Sequence, residues 1–245
     1  LIPARKNAFL DRLLYVYLIR RLRRQFYSIE VKGLEHLQNL DPDHGSIAFA
    51  NHSNWWDGLV IFFLTRHQKK KSSYCMMEEE QLQHYTFFTW IGAFGVDLSN
   101  RVRSALSIRY ATRLLKDPNT LIWIFPQGEM ASPQQSLVIK PGTHFIASRY
   151  PVTQLLPVCF RYEFINEDRP QIFVQIAPAF TAKESSDEII QSSLQALCAD
   201  LDQSLKVRNF ADFQTLLAPK LSINKRWEWF SLLLKGRLRE FKARN

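Results

Sequence analysis

Between residues 28 and about 206, short apolar runs alternate with stretches that carry a helical period, and this alternation restricts the possible folds more than any other property of the chain. The runs SIAFA (46–50), SYCMM (73–77), TLIWIF (120–125), QLLPVCF (154–160) and QIFVQIA (171–177) are β-rich, and several are apolar without a break. Strands with one wet face alternate apolar and polar residues, whereas unbroken apolar strands are covered on both faces. Residues 55–65, 79–90, 102–116 and 142–150 read as the covering helices. The expected fold is therefore α/β: a mostly parallel or mixed central sheet flanked by helices. Reactive groups in such sheets gather beyond the carboxyl ends of the strands.

The net charge of +9 is not spread evenly: residues 1–32 hold eight Lys/Arg against two acids, residues 220–245 hold the same, and the body between is left at −3. Nucleic acid is not expected as a partner, because a groove that tracks phosphates needs its cations on the body. Tyr15, Leu18, Leu22 and Phe26 fall at i, i+3, i+7 and i+11, with Arg20 and Arg24 opposite. Trp227, Phe230, Leu234, Leu238 and Phe241 make a second stripe, flanked by Lys235 and Lys242. Both patterns predict basic amphipathic helices. The domain reading is an N-terminal membrane-docking helix over 1–27, an α/β domain over 28–219 and a C-terminal basic helix over 220–245. The apolar run Leu13–Ile19 is seven residues long, against about 20 for a bilayer span. No signal-peptide pattern is visible. Peripheral docking on an anionic membrane surface is expected. Three widely spaced cysteines, Cys75, Cys159 and Cys198, fit reduced thiols and hence the cytoplasmic face.

The eight glycines form neither GxGxxG nor GxxxxGK[ST], which removes the usual nucleotide-cradling loops. Six histidines include no HExxH and no CxxC is present, so no metal is expected.

Two runs leave apolar strands, NHSNWWDG after SIAFA and FPQGE after TLIWI. In the first, His52 and Asp57 are five residues apart in a turn that enters a helix. An Asp bonded to one ring nitrogen fixes the tautomer and leaves the other nitrogen to accept a proton. No GxSxG elbow supplies a serine nucleophile, and no cysteine has a nucleophile signature. The pair reads as a general base acting directly on a substrate hydroxyl, without an acyl-enzyme.

Taken together, Asn51, His52 and Asp57, the later Phe125, Pro126, Gln127, Gly128, Glu129 and Met130, and Leu156, Pro157 and Val158 resemble the glycerolipid and lysophospholipid acyltransferase family, which includes 1-acylglycerol-3-phosphate acyltransferases. The resemblance covers roughly residues 28–180, with Lys140, Gly142, Phe145 and Ala147 similar to its KxG segment. The first block is matched in full. The third, usually FPEGT followed by Arg, keeps its Phe-Pro and Gly but has lost the acid, the hydroxyl and the Arg. A second block pairs a Gly with an Arg about six residues on, and two registers fit: from Gly92 the Arg position falls on Leu98, from Gly95 on Arg101, with Arg103 nearby.

The resemblance implies transfer of a fatty acyl group from acyl-CoA or acyl carrier protein, used as co-substrate without a further cofactor, to a lipid hydroxyl at the membrane. His52 would be the base and Asp57 its orienter. Asn51, Arg101, Arg103 and Phe125 to Glu129 would contact substrate, with donors near the Pro126–Gly128 turn for the oxyanion. Lysophosphatidate or a related lysophospholipid is the first acceptor. A non-phosphate acceptor such as a glycolipid or glycosylated carotenoid, and a noncatalytic peripheral membrane protein of the same fold, are the alternatives. Trp55 and Trp56 read as core or as acyl-tunnel lining. Arg66 with Lys69, Lys70 and Lys71 reads as a solvated loop or as a contact for coenzyme A phosphates.

Overall fold

The computed structural model describes residues 1–68 and 70–218, together with Trp227 and Phe230. In chain order its elements are α1 (Ala8–Gln25), β1 (Ile29–Lys32), α2 (Leu34–Gln38), β2 (Ser46–Ala50), α3 (Asp57–Leu64), β3 (Ser72–Glu78), α4 (Glu79–His84), β4 (Ala93–Val96), α5 (Arg101–Leu114), β5 (Thr120–Ile124), α6 (Thr143–Ala147), β6 (Gln154–Glu163), β7 (Gln171–Ile176), β8 (Phe180–Thr181), α7 (Asp187–Lys206) and β9 (Gln214–Leu217). The described strands form one nine-stranded sheet in the order β4-β3-β5-β2-β6-β7-β1-β9, with β8 paired to β6. From β4 to β6 all neighbours are parallel. Antiparallel pairings at β6–β7 and β1–β9 make the whole sheet mixed.

The apolar runs at 46–50, 73–77, 120–125, 154–160 and 171–177 are the strands β2, β3, β5, β6 and β7, and both faces of the sheet are covered. In β2, Ala48 and Ala50 enter one core with α1, α2 and α3, while Ile47 and Phe49 enter the other with α5, α6 and α7. Large side chains such as Trp123, Phe49 and Phe160 are wholly buried, each worth roughly 2 to 3 kcal/mol. Helix α3 (DGLVIFFL) is apolar nearly all round because it lies between α1 and the sheet.

Two helix expectations need correction. The span 79–90 is not one helix: α4 ends at His84 and a 3₁₀ turn over Thr86–Ile91 follows, since the run TFFTWI has β-branched and aromatic side chains that crowd an α-helical turn. The span 142–150 shortens to five residues in α6, with Pro151 ahead holding the chain out of helical geometry.

The N-terminal stripe turns inward. Leu18, Leu22 and Phe26 are buried in the core shared with α3, and Tyr15 packs on Phe62 and Phe63. A different apolar face of α1 is exposed, with Phe9 at 75%, Leu13 at 57%, and Val16 and Tyr17 beside them. Among the described residues no helix is long and apolar enough to cross a membrane. The C-terminal helix expected over 220–245 lies outside the described residues apart from Trp227 and Phe230, whose rings are 6.0 Å apart.

Candidate active site

The site is set by the pairing of β2 with β5. These central strands run parallel with Phe49 opposite Ile124, so the segments that follow, Asn51–His52 and Phe125–Pro126, leave the sheet side by side. His52 stacks on Phe125 with ring centroids 4.2 Å apart and planes at 16°.

Asp57 is the first residue of α3 and wholly buried. Its Oδ2 accepts from His52 Nδ1 (2.8 Å) and from the backbone N–H groups of Ser53 (2.8 Å) and Asn54 (2.9 Å). Its Oδ1 accepts from Tyr162 Oη at 2.6 Å. Four donors thus meet a carboxylate with about four lone-pair sites. Burial of the anion is offset by charge-assisted hydrogen bonds and by the helix start. Tyr162, on β6, is held as the neutral phenol, first by burial and then by the Asp57 charge, which push its pKa well above the ordinary value. Because Nδ1 of His52 faces Asp57, Nε2 is the ring nitrogen left for a substrate proton.

Three expected contact residues fasten the histidine loop. Asn51 Nδ2 donates to Phe160 O (3.2 Å) and Phe160 N–H donates to Asn51 Oδ1 (2.8 Å), tying the end of β2 to β6. Gln127 Oε1 accepts from His52 N–H at 2.7 Å. Phe125 supplies the stacking face. Further along, Ala131 N–H donates to His52 O (2.9 Å). Gly128 has φ +72°, and a Cβ there would stand 2.9 Å from Lys140 Cδ, so only glycine suits the position. Its N–H donates to Phe125 O (3.0 Å) and is therefore already used, which removes it from the expected oxyanion donors.

His52 opens on an apolar cavity of about 420 Å³ that runs between α3, β3 and the 3₁₀ turn, with Trp55, Cys75, Ile91 and Trp123 among its walls. This is the size range of small-molecule sites. Burial raises the Cys75 thiol to about 12. The tryptophan pair divides: Trp55 is 49% exposed at the cavity, while Trp56 packs edge-on against Phe26. Pro126, Gly128 and Glu129 line the cavity, whereas Arg101 and Arg103 do not. Arg103 is paired with Glu79 and with Asp97 (3.4 Å), and Arg101 opens α5.

Two members of the basic cluster expected near residue 70 have partners within the fold. Arg66 pairs with Asp11 and lies over the Tyr15 ring. Lys71 donates to the carbonyls of His44 (2.6 Å) and Pro118 (2.7 Å). Lys69 is outside the described residues. Cys159 and Cys198, 39 residues apart, come together in the core with sulfurs 2.7 Å apart. Among the described residues no group of three or more His, Cys, Asp or Glu gathers as a metal site.

Tyr162 is the member of the site that sequence reasoning missed. It is 105 residues from Asp57, and no local spacing marks it; the parallel pairing of β2 and β6 brings them together.

The family model described as Acyltransferase matches residues 28–161. A 1-acyl-sn-glycerol-3-phosphate acyltransferase of Streptococcus pneumoniae (strain ATCC BAA-255 / R6) is 31% identical over 157 residues, 61% of this chain and 55% of that protein. The chain thus spans about half the length of the curated relative it matches. The crystal structure of the 1-acyl-sn-glycerophosphate (LPA) acyltransferase PlsC from Thermotoga maritima has the same fold at a TM-score of 0.57 and 20% identity, over 81% of this chain and 82% of that one.

Proposed function

Since the chain belongs to the Acyltransferase family, we propose that it moves a fatty acyl group from an acyl thioester, carried by coenzyme A or an acyl carrier protein, to a lipid hydroxyl. The observation that carries this reading is the His52–Asp57 pair at the opening of an apolar cavity. His52 Nε2 takes the hydroxyl proton as the acceptor oxygen attacks the thioester carbonyl. The tetrahedral intermediate collapses with loss of the thiolate, which recovers that proton from His52, so the cycle closes without a covalent enzyme intermediate. Asp57 holds the imidazole in the productive tautomer and stabilises the transient imidazolium. The cavity between α3 and β3 receives the acyl chain. The relatives' names favour a lysophosphatidate acceptor.

The membrane part of the reading rests on α1. Its outward face carries Phe9, Leu13, Val16 and Tyr17, followed one and two turns on by Arg20, Arg23 and Arg24. That arrangement suits an apolar face lowered into the headgroup boundary of an anionic leaflet, with the arginines at its surface. The reading is tested by mass-spectrometric detection of acylated product from purified protein, thioester and lipid acceptor, compared with His52→Ala.

A further inference from the structure

The acceptor side of the cavity is poor in cations. Leu98, Gly128, Glu129, Met130 and Lys140 lie along it. Leu98 closes on the turn after Phe125: its Cδ1 would be 3.0 Å from a Cβ at Gly128. Lys140 Nζ would stand 3.1 Å from the same Cβ, so one aliphatic group and one ammonium flank this turn, and no arginine joins them. Arg103 is held away by Glu79 and Asp97, and Arg101 is not a lining residue. Besides His52, the charged groups that line the cavity are Glu78, Glu129 and Lys140. None of these three has an ion-pair partner within 4.0 Å among the described residues.

A phosphate monoester at neutral pH carries a charge of roughly −1.5 to −2 and is gripped by arginine forks or several converging donors. One lysine in a lining that also holds two carboxylates does not offset that charge. The same three groups suit hydroxyls well, since carboxylates accept from O–H and an ammonium donates to it. We infer that the acceptor is a lipid whose head group is an uncharged, hydroxyl-rich polyol or sugar, and that this site discriminates against phosphate monoesters. The inference rests on the acyl-transfer reading and departs from the acceptor in the relatives' names.

Three soluble acceptors decide it: 1-hexanoylglycerol, its 3-phosphate, and a hexanoyl glycoside with free hydroxyls, each offered with an acyl thioester. The expected result is a kcat/KM at least about tenfold higher for the two uncharged acceptors, the equivalent of about 1.4 kcal/mol. Leu98→Arg is expected to raise use of the 3-phosphate. Equal or better use of the 3-phosphate by the unaltered protein would overturn the inference while leaving acyl transfer intact. If no acceptor is acylated, the acyl-transfer reading fails, and binding still decides the acceptor class. In His52→Ala, titration of tryptophan fluorescence, to which Trp55 at the cavity contributes, is expected to show the uncharged acceptors binding more tightly. Tighter or equal binding of the 3-phosphate would again overturn it.

Discussion

Tyr162 of β6 and Asp57 at the start of α3 meet on one face of the sheet, the phenol donating to Oδ1 at 2.6 Å while His52 occupies Oδ2. The carboxylate that orients the histidine is thus itself held from the far side by a strand residue. This couples the rigidity of β6 to the angle of the imidazole.

Replacing Tyr162 by Phe removes one donor from Asp57 and keeps the ring. The kcat is expected to fall about tenfold through looser orientation, with KM little changed. A kcat equal to that of the unaltered protein would show that the phenol only fills space.

Asn51 faces the backbone of Phe160 with both of its amide atoms. Asn51→Ala leaves the buried Phe160 N–H without that partner, while Phe160 O keeps its bond from Arg161 Nη1 (3.0 Å). Stability is expected to drop by about 1 to 3 kcal/mol, read from urea unfolding. A loss below about 0.5 kcal/mol would mean that neither bond contributes.

How far the sequence already revealed these arrangements depends on their range. The strands β2 and β5 were legible because both faces of a central strand are covered, so SIAFA and TLIWI carry no polar alternation. The turn from His52 to Asp57 was legible because its spacing is local. Short strands such as β1 and β4, four residues each, are too brief for a period to show. The stripe Tyr15, Leu18, Leu22 and Phe26 is plainly apolar in the sequence, yet periodicity tells that a face must be covered and not by what. The charge of Arg103 was equally plain, while its partner Glu79, 24 residues earlier, is supplied only by the packing of α4 against β4.

The two faces of α1 are expected to respond differently to substitution. Phe9→Ser with Leu13→Ser leaves the core intact, and binding to phosphatidylglycerol-containing vesicles should weaken on the order of tenfold or more. Leu22→Ala, by contrast, opens a cavity and should cost about 2 to 5 kcal/mol of stability. Unchanged vesicle binding by the double variant would rule out this face as the membrane contact.

Burial holds the Cys75 thiol at about 12, so its thiolate share at pH 8 is about 10⁻⁴. Iodoacetamide at that pH should leave Cys75 unmodified in the folded protein and label it once the chain is unfolded, as read by peptide mass spectrometry. The sign follows from the direction of the shift: labelling should accelerate only as pH climbs toward the raised value. Rapid labelling at pH 8 without unfolding would show that the thiol is not enclosed.

The most direct measurement compares the unaltered protein with His52→Ala in acyl transfer from a thioester to a lipid hydroxyl, with circular dichroism establishing that both are folded. Loss of the base is expected to lower the rate about 10²- to 10⁴-fold, leaving thioester binding in the apolar cavity largely intact. A folded His52→Ala protein that still transferred acyl groups at a comparable rate would contradict the account, because no proton acceptor would then be needed at the position that Asp57, Gln127 and Phe125 hold in place.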